Sequence, residues 1–73
     1  MIYELFDTDT GNVIGTYATE HEALDVLKSA LDAYGLSYAD TIVLGVRDPA
    51  GRPKAIASGQ GLAKLALRAS ATG

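Results

Sequence analysis

The side chains that could do chemistry are few, and they fall in four places. His21 is the single histidine and stands between Glu20 and Glu22. A histidine acts as a general base when a nucleophile or substrate pocket lies within reach and a second group orients it. His21 falls in the first turn of an exposed helix end, pointing to water, so it is read as a surface residue. No serine, lysine or pair of carboxylates has the spacing or burial that catalysis requires, and the chain is read as a non-enzyme. Asp7-Thr8-Asp9-Thr10-Gly11-Asn12 approaches the calcium-loop pattern D-x-D-x-[DN]-G. Glycine and asparagine stand in the reverse order, however, and the twelfth position falls on Ala18, which cannot ligate a cation. A hairpin turn explains the same residues, and neither a metal nor another cofactor is expected.

Gly59-Gln60-Gly61-Leu62-Ala63-Lys64 sets two glycines and a lysine at a helix start. Helix N-termini favour anions through unpaired backbone donors and the dipole. The segment lacks both G-x-x-x-x-G-K-[ST] and G-x-G-x-x-G, and capping accounts for it. The fourth place is the basic cluster Arg47, Arg52 and Lys54, the candidate site for an anion or an acidic protein partner. If Asp48 pairs with Pro53, Arg47 stands opposite Lys54, and like charges in register are unfavourable unless they face water or an acidic partner. Three bases in a chain of net charge −3 and pI ≈ 4.7 attract a polyanion poorly. No aromatic motif for RNA stacking is present either, so nucleic acid is not the expected partner. Edge charges that discourage aberrant strand pairing are the plainer reading of the cluster.

These residues have to be positioned by regular elements, and the clearest is a helix over residues 19–35. Thr19 with Glu22 three residues on forms a capping box. Gly35 follows the last periodic residue, where a left-handed cap suits glycine. Ala23, Leu24, Leu27, Ala30, Leu31 and Tyr34 make one apolar stripe, with Glu22, Asp25, Lys28, Ser29 and Asp32 opposite. Residues 2–7 and 13–18 read as strands around a Gly-containing turn, a β-hairpin. Residues 41–47 form the most distinct strand, and the turn 48–53 carries proline early and glycine late. Residues 54–58 return as a weaker strand, placed at an edge by Pro53. Ser58 or Gly59 caps a second helix with Leu62, Leu65, Ala66 and Ala69 on its stripe, and the tail 70–73 is expected to fray.

The fold class is therefore α+β, a single 73-residue domain in the order ββαββα. A four-stranded, mostly antiparallel sheet with both helices on one face would bury both stripes. The halves 1–35 and 39–69 are alike in layout. Gly11 precedes Gly51 by 40 positions and the caps Thr19 and Ser58 stand 39 apart, a structural pseudo-repeat with poor side-chain identity. Their charges differ: residues 1–40 hold eight acids and one base (−7), residues 41–73 one acid and five bases (+4). Packing of the halves against each other neutralises that split, and an anion-binding face is the alternative. With no cysteine the chain has no disulfide, which fits a reducing, cytoplasmic setting. Its longest apolar run, Ile42-Val43-Leu44, is far short of the roughly 20 residues a membrane span needs. The chain opens without a basic region ahead of an apolar one, so no signal peptide is expected.

Tyr17-Ala18-Thr19-Glu20-His21-Glu22-Ala23-Leu24, followed by Ala30-Leu31 and Tyr34, resembles a recurrent T-x-x-E-A helix start of small bacterial proteins. It occurs in HicB-type antitoxins and in families of unknown function with a ββαββ core. The resemblance covers the first hairpin and helix, roughly half the chain. It implies a small regulatory module that binds a toxin or an anion, through Arg47, Arg52 and Lys54 in this chain.

The sheet has two faces, and both carry apolar side chains. Ile2 and Phe6 point one way on the first strand, Tyr3 and Leu5 the other; Ile42, Leu44 and Val46 oppose Val43, Gly45 and Arg47. If the helices cover one face, the other leaves an apolar patch that a soluble monomer rarely exposes. A second copy is the simplest cover, and Tyr3, Leu5 and Val43 are the residues expected on that self-association face. The functional expectation is a non-enzymatic, homodimeric interaction protein.

Overall fold

The computed structural model of the chain describes residues 1–72, with side chains described through residue 69. Strands β1 (Ile2–Asp7) and β2 (Asn12–Tyr17) form the first hairpin, and helix α1 (Glu20–Tyr34) follows. A 3₁₀ segment, Leu36–Thr41, leads into β3 (Ile42–Arg47), β4 (Pro53–Ser58) and α2 (Gly59–Thr72). The helix thus carries the backbone to Thr72, and the last residue of the expected frayed tail, Gly73, lies outside the described residues.

Helix α1 begins where its capping chemistry sets it. Thr19 Oγ1 accepts the Glu22 N–H at 3.1 Å, and Glu22 Oε2 accepts the Ala18 N–H at 3.3 Å. Such a cap contributes about 1 kcal/mol. At the other end the Gly35 N–H donates to Leu31 O at 2.7 Å. Gly35 sits at φ 94°, ψ 165°. The cap therefore uses a glycine-only region but is extended, not left-handed helical as the sequence suggests. The chain needs that shape to turn straight into the 3₁₀ segment, where the Tyr38 N–H bonds Gly35 O at 3.1 Å.

The four strands are antiparallel in the order β2-β1-β3-β4. Leu5 pairs with Leu44 at the centre, and Tyr3 with Val46 beside it. Both helices lie over that face. Leu24, Leu27 and Leu31 of α1 and Leu62, Ala63 and Ala66 of α2 close on Leu5, Ile42 and Leu44 as one buried cluster. Each fully buried leucine or isoleucine there contributes about 1.5–3 kcal/mol relative to exposure. Tyr34, placed by periodicity on the stripe, is instead 71% exposed and stacks on Tyr38 with ring centroids 5.3 Å apart.

Each outer strand carries a bulge. Leu5 opposes Gly15 but Phe6 opposes Val13, which leaves Ile14 extra; Leu44 opposes Ala57 but Gly45 opposes Ala55, which leaves Ile56 extra. Bulges at sheet edges twist the edge and discourage pairing with another chain's edge. The turn between β3 and β4 closes with Asp48 N–H to Arg52 O at 3.1 Å and Gly51 N–H to Asp48 O at 2.8 Å. Asp48 therefore pairs with Arg52, and Arg47 opposes Pro53 while Val46 opposes Lys54. The expected like-charge pair of Arg47 and Lys54 does not form, because the turn is one residue tighter and places them on opposite faces.

Candidate interaction surface

The helices leave the second face of the sheet uncovered, and alternation dictates who stands on it. Three cross-strand rows result from the register. The first is Phe6, Val43 and Ser58; the second Glu4, Gly45 and Ala55; the third Ile2, Arg47 and Pro53. Val13 and Thr16 of β2 extend the first two rows. The middle row ends in a glycine and an alanine, so it sinks between its neighbours. The result is a trough of about 290 Å³ whose lining includes Phe6, Val43, Gly45, Arg47, Pro53 and Ala55. A Cβ built on Gly45 would meet only Lys54 O, at 3.4 Å, so the trough exists because the side chain is missing and not because neighbours forbid one.

One charged pair crosses this face. Arg47 Nε donates to Glu4 Oε1 at 2.5 Å, and Arg47 Nη1 donates to Gly51 O at 3.3 Å. The Glu4 side chain is 20% exposed and that of Arg47 47%. A half-solvated pair of this kind contributes little to stability. Its consequence is that the face carries no net charge at its centre. Around it Ile2 and Val13 are half exposed, and the bulged Ile14 and Ile56 are exposed at the two edges.

The sequence-predicted site residues are thus redistributed. Tyr3 and Leu5 belong to the helix-covered face: Leu5 is 1% exposed in the core and Tyr3 packs against it. Of the three, only Val43 stands on the uncovered face, together with Phe6, Ile2 and Val13, because Leu5 pairs with Leu44 and the helices close over that pair. The basic cluster is also divided. Arg47 is held by Glu4 and Gly51, while Arg52 and Lys54 are exposed.

The remaining candidates have structural partners. His21 Nε2 lies 3.4 Å from Asp25 Oδ2, both well exposed. Asp7 Oδ1 accepts the Asp9 N–H at 2.9 Å and Asp7 O the Gly11 N–H at 2.9 Å, so this carboxylate shapes the turn. Among the described residues no group of three or more His, Cys, Asp or Glu side chains is placed to hold a metal ion. At the start of α2, Gln60 Nε2 donates to Asp40 Oδ1 at 2.8 Å and Leu36 O at 3.2 Å, which ties the helix to the 3₁₀ segment. Sequence reading missed that tie, and it missed Tyr17 lying over Gly15. A Cβ on Gly15 would collide with the Tyr17 hydroxyl oxygen. Burial, and then the neighbouring Tyr38, push the Tyr17 phenol above its ordinary value of 10.0. A glycine two residues before a tyrosine on one strand is the signal that could have exposed it.

No family model, curated protein or solved structure matches this chain. No helix among the described residues is long and apolar enough to cross a membrane.

Proposed function

We propose that the chain is a non-enzymatic, cytoplasmic protein-interaction module that associates with a second copy of itself through the uncovered face of its sheet. The observation that carries the reading is the row Phe6–Val43 with Ile2 and Val13 around a trough, crossed only by the self-neutralised pair Glu4–Arg47. A partner can cover that pair without stranding a lone charge, the costly event at an interface.

Size sets the strength. Four strands at ~4.8 Å spacing and six residues at ~3.3 Å rise give a face of roughly 19 by 20 Å. Two such faces remove about 800 Å² of plane, below the roughly 1,200–2,000 Å² of stable interfaces. The association is therefore weak and concentration-dependent, with a Kd in the micromolar to millimolar range. Sedimentation velocity across a dilution series tests it. The mass should rise from 7.6 kDa towards twice that value with concentration; a constant 7.6 kDa up to about 1 mM, the weak end of that range, would end the proposal.

A second reading, an antitoxin-like or regulatory module docking an acidic protein or an anion, draws on the exposed Arg52 and Lys54 at the second hairpin. Changing both to glutamine should abolish such a partner's binding and leave self-association nearly intact.

A further inference from the structure

The register sorts the uncovered face into a high half and a low half. On β1 and β2 it presents Ile2, Phe6, Val13 and Thr16, a ridge of large side chains. On β3 and β4 the middle of the face is Gly45 and Ala55, and the trough of about 290 Å³ lies over them. The Glu4–Arg47 pair stands on the boundary between the halves, its acid on β1 and its base on β3. Arg47 gives Nε to Glu4 and Nη1 to Gly51 O, so Nη2 keeps its two donors.

We infer that two copies pack with their strands aligned, about a two-fold axis running along the strands between β1 and β3, the ridge of each lying in the trough of the other. This rests on the self-association proposed above and adds its geometry. A two-fold axis between stacked sheets lies in the plane of the faces. Run along the strands, it lays β1 and β2 of one copy over β3 and β4 of its partner. The high half then fills the low half, and no void is left to forfeit dispersion contact. Sheet twist sets the two strand directions about 30° apart, the aligned mode of sheet packing. The same rotation turns the two ion pairs head to tail across the axis, so Glu4 faces the partner's Arg47 and Arg47 the partner's Glu4. The free Nη2 donates there, and these charge-assisted bonds offset part of the cost of drying both pairs. Run across the strands instead, the axis lays every strand on its own counterpart. Ridge then meets ridge, trough meets trough, and the two carboxylates stand on the same side, like charge towards like. An oblique axis crosses ridge over trough and seats one in the other along only part of its length. The strand-parallel contact is isologous, and the assembly closes at two copies.

The chain has no cysteine, so single cysteines report the arrangement through a bismaleimide that spans about 10 Å, the separation of stacked sheets. Thr16 and Ala55 are the exposed ends of one cross-strand row. Within one copy they lie three strand spacings apart, roughly 14 Å. The inferred axis brings Thr16 over the partner's Ala55 and holds the two Thr16 residues beyond the linker's reach. Thr16→Cys mixed with Ala55→Cys should therefore give a cross-linked dimer, and either variant alone only background. Isotope-filtered NOEs between labelled and unlabelled wild type need no substitution. They should join Val13 to the partner's Ser58, the two ends of the neighbouring row. Sedimentation velocity on the wild type accompanies both. If the wild type dimerises and either cysteine variant cross-links to itself as well as to the other, the strand-parallel axis is overturned and the association stands. NOEs that join β2 to the partner's β2, or that never join β2 to the partner's β4, have the same consequence. Masses growing beyond two copies also overturn the arrangement, since the isologous contact closes. A wild type that stays monomeric up to about 1 mM removes both the arrangement and the association beneath it.

Discussion

Val43 and Leu44 are adjacent on β3, and substituting them should produce opposite signatures. Leu44 is fully buried under both helices. Leu44→Ala removes its side chain from a core that cannot collapse to fill the gap, at a cost of about 2–5 kcal/mol. A domain of this size holds only about 3–5 kcal/mol in total. With a urea dependence of about 1 kcal/mol/M, the midpoint should fall by 2 M or more, and much of the population should be unfolded in buffer. Val43 pairs with Phe6 on the uncovered face and is half-buried. In a single copy, Val43→Lys lays its methylenes along Phe6 and lifts the ammonium to water, at a cost below about 1 kcal/mol. In a face-to-face pair the same change brings two desolvated ammonium groups together. Even a loss of about 2.7 kcal/mol raises the Kd about 100-fold. Urea melts followed by circular dichroism and sedimentation equilibrium of the same samples separate the two. Val43→Lys should fold and fail to associate, and Leu44→Ala should fail to fold. If Val43→Lys melts as early as Leu44→Ala, or folds and still dimerises like the wild type, the assignment of the two faces is wrong.

Two further outcomes concern the scaffold. Gly35→Ala places a Cβ at φ 94°, ψ 165° and should cost about 1–3 kcal/mol; an unchanged urea midpoint would show that the cap tolerates a side chain. Tyr17 has a folded pKa above its unfolded value through burial first and Tyr38 second, so its contribution is intact below about pH 10 and is lost as pH rises through the raised value. Thermal melts from about pH 9 to pH 11.5 should show Tm falling above pH 10 in the wild type and less steeply in Tyr17→Phe, and parallel curves would refute the attribution.

What the sequence made legible was whatever depends on local periodicity. Thr19 with Glu22 and the spacing of Leu24, Leu27 and Leu31 specify a capped helix with one face to bury, and the structure puts that face on the core. The two loops containing Gly11 and Gly51 separate their strands as the turn chemistry requires. Pro53 opens the edge strand β4. The choice of face was not legible, because β1 carries two apolar residues and one acid on each side: Ile2, Glu4 and Phe6 alternate with Tyr3, Leu5 and Asp7, and only the path of the helices decides which set is covered. Register was not legible either. The extra residues Ile14 and Ile56 and the tighter turn at Asp48 each shift the pairing by one position. A shift of one position reverses the side each residue faces. The misplacement of Leu5 and the phantom pairing of Arg47 with Lys54 both come from such two-fold ambiguities. The ion pair of Glu4 with Arg47 and the tie from Gln60 to Asp40 depend on contacts 43 and 20 residues apart, beyond any local pattern.

The most direct test of where two copies meet is a methyl and amide NMR dilution series on the wild-type chain. Signals of Val43, Phe6, Val13 and Ile2 should move with concentration while those of Leu27, Leu44 and Leu62 stay fixed. Movement confined to the outer helix residues Val26 and Leu67, or none at all, would contradict an interface on the uncovered sheet.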